Sequence, residues 1–193
     1  MPLAHWTEVL AFWFGAVDSP EFGRARACWF AKSADFDALV RARFLATHEA
    51  AAAGTLRPWA QSPLAALALV IALDQLPRNI FRAAPRAFAT DPIALGVARA
   101  MVERGFDEVL LPVQRWFAYL PFEHAEDLAA QREALALFDR LRGDPDSAGT
   151  IAYAVRHHAI IARFGRFPHR NEILGRPSTA EELAFLAQPG ASF

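Results

Sequence analysis

Apolar side chains recur along this chain at intervals of three and four. Trp6, Val9, Leu10, Trp13 and Phe14 form one stripe, Phe36, Leu39, Val40 and Phe44 a second, and Leu128, Leu135 and Phe138 mark a third, along a stretch from about Glu123 to Leu141. That spacing follows the 3.6-residue turn of an α-helix rather than the two-residue alternation of a strand. Start and stop signals interleave with the stripes. Ser19-Pro20, Ser62-Pro63 and Asp91-Pro92 each set a capping side chain before a proline, Ser178 to Glu181 has the spacing of a capping box, and Gly15, Gly54, Gly105, Gly143 and Gly165 follow apolar stretches as helix terminators would. With no alternating run and no hairpin turn pair, the pattern predicts an all-α chain of about eight helices with short connections. It reads as a single domain over residues 1–193, because Pro and Gly mark loops but no linker. Helix hairpins stacked in succession would bury the aromatic faces and leave a concave surface. Trp13-Phe14, Trp29-Phe30 and Trp116-Phe117 recur without a fixed period, so any repeat is degenerate.

Composition narrows the function classes. A chain of 193 residues, 54% hydrophobic, builds one sizeable core. Its 20 basic and 21 acidic residues give a net charge of −1, which argues against a protein that coats nucleic acid or an anionic membrane surface. The strongest apolar run, Leu64 to Leu73, is about half of the ~20 residues a membrane span needs and reads as a buried helix. The N-terminus lacks the basic and apolar regions of a secretory signal, and Cys28 has no second cysteine to pair with; a cytoplasmic, reducing location is expected.

Candidate chemistry gathers in three polar segments between apolar helices. The first, Phe164 to Arg176, with Arg163 beside it, carries four arginines, His169 and Asn171 against one acid, Glu172. Guanidinium forks bind carboxylates or phosphates bidentately. Yet Lys32 is the one lysine among 20 basic residues, so arginine number says less here than arginine position. The second, Leu73 to Arg82, contains Asp74, Arg78, Asn79 and Arg82, and Pro77 is expected to end or bend the apolar helix before them. In the third, Tyr119 to Asp127, Pro121 is expected to open a helix, and Asp127 stands three residues after His124, a spacing that lets a carboxylate orient an imidazole. His124, Glu126 and Asp127, with His157, His158 and His169 elsewhere, lack a metal-site spacing, and neither a Gly-x-Ser-x-Gly elbow nor a phosphate-cradling glycine loop is present. No metal and no cofactor is expected.

Taken together, Val9 to Gly15, Leu73 to Arg82, Ala87 to Asp91, Tyr119 to Asp127 and Gly165 to Asn171 resemble the bacterial DUF924 family over nearly the whole chain. The resemblance implies a tetratricopeptide-like, right-handed α-α superhelix. It carries over no catalytic residue. The family pattern usually has His-Ser-Glu where this chain has His124-Ala125-Glu126, so a mechanism needing that serine hydroxyl is not open to it.

Three functional readings follow. In the first, Arg78, Asn79, Arg82, His124, Arg166, His169, Arg170 and Asn171 line one concave pocket for an anionic small molecule or peptide end, with a carboxylate or phosphate as the recognised group. In the second, His124, oriented by Asp127, or His169 is the general base of an enzyme whose arginines hold an anionic substrate. The third makes the arginines internal struts, Arg166, Arg170 and Arg176 pairing with Asp74, Glu126, Asp127 and Glu172, in a structural or protein-interaction module that binds a partner through its outer face. Exposed aromatic residues are also compatible with a homodimer.

Overall fold

The computed structural model describes residues 3–191, and among them every regular element is helical. Helix α1 (Trp6–Phe14) begins where Glu8 accepts the His5 backbone N–H at 3.0 Å. Ser33 caps α2 (Ala34–Ala52). Helix α3 (Pro63–Val70) runs through a π turn, Ile71–Gln75, directly into α4 (Leu76–Ile80), so these three segments make one rod. Then follow α5 (Asp91–Glu103), α6 (Pro112–His124), α7 (Leu128–Asp139), α8 (Ala148–Phe164) and α9 (Ala180–Leu186). Counting the rod once gives eight helices among the described residues, as the periodicity predicts.

Some boundaries depart from expectation. Ser19-Pro20 lies in a turn rather than at a helix start. The last capping box is one residue later than expected, Thr179 with Glu182, because Ser178 is engaged by Asn171. Of the five glycines read as stops, Gly143 alone lacks a positive φ, whereas Gly165 ends α8 at φ 69° in the left-handed region that disfavours other residues. Pro121 lies inside α6 instead of opening it, and the chain leaves helical geometry at Ala125 (ψ 134°) before restarting at α7.

Every position from 65 to 77 is buried, so the α3–α4 rod is the axis of the molecule. It packs on α1, α2, α5 and α6, and the chain then continues outward through α7 to α8, each helix against its predecessor. Phe117 of α6 centres an aromatic cluster, with ring centroids 4.8 Å from Trp29, 5.4 Å from Phe14 and 5.7 Å from Trp13. A smaller core of Ile160, Ile161 and Phe167, backed by Phe164 and Phe185, anchors the C-terminal segment. No helix among the described residues is long and apolar enough to cross a membrane.

Candidate functional site

The π turn explains how a proline and a buried acid fit the central rod. Leu76 N–H reaches back five residues to Ile71 O, which leaves the Ala72 carbonyl without its usual donor; Pro77 has no N–H to offer Leu73. Both carbonyls are served from elsewhere in the fold. His48 Nδ1 donates to Ala72 O at 2.9 Å, and Thr90 Oγ1 donates to Leu73 O at 2.5 Å. Pro77 therefore neither ends nor breaks the helix. The turn that absorbs it carries Asp74, whose side chain is fully buried.

Asp74 faces His124 at the end of α6. His124 Nδ1 lies 2.8 Å from Asp74 Oδ1 and 3.0 Å from Oδ2. Burial pulls the Asp74 carboxyl upward, but Arg78 and His124 outweigh it and hold the group well below the usual carboxylate range. Asp74 is thus ionised and only accepts, so the proton sits on His124 Nδ1. Burial first, and the Arg78 charge second, push the imidazole below its ordinary pKa despite Asp74. At neutral pH His124 is a neutral ring with a lone pair on Nε2, and Nε2 makes no hydrogen bond to any described residue.

Beside this pair is a cavity of 340 Å³, whose wall includes His124, Phe88, Asp91, Glu126, Asp127 and Arg170. Its charged side chains are mostly committed. Asp91, at the start of α5, accepts the Arg78 fork at 2.9 and 3.1 Å. Glu126 accepts both terminal nitrogens of Arg176, at 2.5 and 2.9 Å, and the Phe167 backbone N–H at 2.8 Å; the carboxyl is held below its ordinary value although burial opposes this. Arg170 differs. Its guanidinium lies between the Phe88 and Phe167 rings, 4.6 and 4.5 Å from their centroids, and among the described residues its one hydrogen bond is Nη1 to Asp91 Oδ2 at 3.4 Å.

Of the eight residues expected to share one pocket, His124 and Arg170 line this cavity, and Arg78 stands behind it through Asp91. The others are spent apart. Asn79 and Arg82 both bind Asp37, Arg166 binds Glu182 at 2.7 and 2.8 Å, and Asn171 binds Ser178 and Arg176. His169 lines a second 340 Å³ cavity, with Pro168, Glu172 and Leu183, and burial followed by the Arg170 charge lowers its pKa to about 4. Asp127 does not orient His124. The helix breaks between them, and Asp127 instead caps α7 by accepting Ala130 N–H at 2.7 Å. The orienting carboxylate is Asp74, and its one signal in the sequence is an acid directly after the most apolar run. Asp91, in the cavity wall, carries no sequence signal of that position, since Asp-Pro reads simply as a helix start. Beside the first pair is a second, His157 Nδ1 to Glu123 Oε1 at 2.9 Å, its ring centroid 6.3 Å from that of His124. Among the described residues no three His, Cys, Asp or Glu side chains converge as metal ligands.

A family model described as a bacterial protein of unknown function, DUF924, matches residues 9–190. The chain belongs to the DUF924 family. A solved structure, that of a protein of unknown function from Agrobacterium tumefaciens, is 40% identical, superposes with a TM-score of 0.83, and the match covers 94% of this chain and 96% of that one. No curated protein matches the sequence.

Proposed function

We propose that this DUF924 protein is an enzyme acting on a small anionic molecule in the first cavity, with His124 as general base and Arg170 holding the anionic group. One observation carries the reading: a fully buried carboxylate, Asp74, fixes a neutral imidazole at the wall of a 340 Å³ cavity. Orienting a ring by its Nδ1–H leaves Nε2 to take a proton, and Asp74 stabilises the imidazolium that forms. Structural pairing alone would not need the second nitrogen left without a protein acceptor or donor. The enzyme reading is favoured over a pure binding module because most arginines of the expected pocket already hold carboxylates, leaving one guanidinium and one imidazole at the cavity.

The test is a broad turnover screen with wild type, His124→Gln and Asp74→Asn. We expect a wild-type turnover that falls on the order of 10²–10⁴-fold in His124→Gln while ligand binding persists. Its rate should decline on the acid side at a pH below the ordinary imidazole value. Turnover that survives both substitutions unchanged would remove the proposal.

A further inference from the structure

We infer that the ligand of this cavity is a small monocarboxylate with a hydrocarbon body, its carboxylate paired with Arg170. The inference rests on the reading that the cavity is the site, and it narrows the ligand by charge and shape. Arg170 has only 7% of its side chain exposed, its Nε is buried without a partner, and its contact to Asp91 is longer than a charge-assisted hydrogen bond of about 2.7–2.9 Å. Asp91 is already held by the Arg78 fork, so it neutralises Arg170 incompletely. Other arginines of the polar segments are not left in this state: Arg78, Arg82, Arg166 and Arg176 each have a close carboxylate. Nη2 of Arg170 has no hydrogen bond to a described residue, while Phe88 and Phe167 fix the plane of the fork. A guanidinium so buried, rigid and undercompensated at a cavity wall is a receptor for an anion.

The rest of the wall selects among anions. Asp91, Glu126 and Asp127 are acids, so a phosphate carrying close to two negative charges would meet three carboxylates with one spare guanidinium. A carboxylate brings a single charge and two coplanar oxygens that match the fork. Phe88, Leu95, Leu174, Pro85 and Pro92 supply an apolar surface for the remainder of the molecule.

Hexanoate, hexanamide and inorganic phosphate are the probes, read by calorimetry and by the His124 ring resonances of the intact protein. Hexanoate should bind saturably and shift those resonances, with hexanamide and phosphate weaker by at least about tenfold. Arg170→Gln should abolish the preference for hexanoate over hexanamide. Arg170→Lys, which keeps the charge but not the fork, should reduce it. Phosphate binding as tightly as hexanoate, or an undiminished preference in Arg170→Lys, overturns the inference. If hexanamide shifts His124 as strongly as hexanoate, the carboxylate class falls while the cavity remains the site. If no probe moves the His124 resonances, the inference falls as well, and the turnover screen with His124→Gln then decides the proposed function separately.

Discussion

At the scale of single residues, His124 is held by opposing influences whose balance can be measured. Burial and Arg78 lower its pKa, and the Asp74 carboxylate raises it. Removing that carboxylate charge should therefore drive the pKa further down. Titration of the His124 ring by NMR in wild type and Asp74→Asn checks this; an unchanged or higher midpoint in the variant contradicts the assignment of Asp74 as its partner. The same scale shows why the arginine-dense segment promised more than it holds. Arg166 and Arg176 find their acids at Glu182 and Glu126, sixteen and fifty residues away. Residue type records that a guanidinium needs a partner, but the partner is chosen by tertiary packing. His124 and Arg170 were legible as polar groups among apolar helices, and their separation from Arg82, Arg166 and Asn171 was not.

Among the elements, helices whose stripes and caps agree, such as α1 and α2, were legible because both signals are local. The π turn was not legible. Pro77 in a single sequence predicts a break, and the groups that make it tolerable, His48 and Thr90, lie 24 and 17 residues from the carbonyls they serve. Pro121 misled similarly, reading as a helix start when α6 passes through it and Gln131 supplies donors to the Glu123 and Ala125 carbonyls beyond. If the π turn depends on these distant donors, Thr90→Val, which keeps shape but removes the hydroxyl, should cost about 1–3 kcal/mol in denaturant unfolding. It should also hasten exchange of the His124 Nδ1 proton, since Asp74 sits in the same turn. A variant as stable as wild type would mean that Leu73 O is satisfied without Thr90. The core of α6 offers a comparison in which no polar group is involved: Phe117→Ala, at the centre of the aromatic cluster, should lose roughly 3–5 kcal/mol and leave the His124 titration in place if it still folds.

For the whole molecule, these buried ionisable groups set how stability depends on pH. His169 is lowered to about 4 and His124 lies below its ordinary value, so the unfolded chain takes up protons near pH 6.5 that the folded chain refuses. The unfolded state then binds more protons, and stability falls as pH drops through that window. From His169 alone the loss between pH 6.5 and 4 is on the order of 3 kcal/mol, because each tenfold weakening of proton affinity is worth about 1.4 kcal/mol. Carboxylates act lower down. Asp37, Asp74, Glu126 and Glu182 are all depressed in the fold, Glu182 to about 2 chiefly by its Arg166 hydrogen bond, so their contribution is complete above the unfolded carboxylate range and disappears beneath it. Unfolding free energy should therefore descend in two stages, a first below pH 6.5 from histidines and a second below about pH 4 from acids. His169→Gln separates them, since it should shrink the first stage to the His124 contribution and leave the second. Denaturant unfolding from pH 8 to pH 3 measures both, and a wild-type curve that stays level between pH 6.5 and 4 would contradict a fold that keeps these imidazoles neutral.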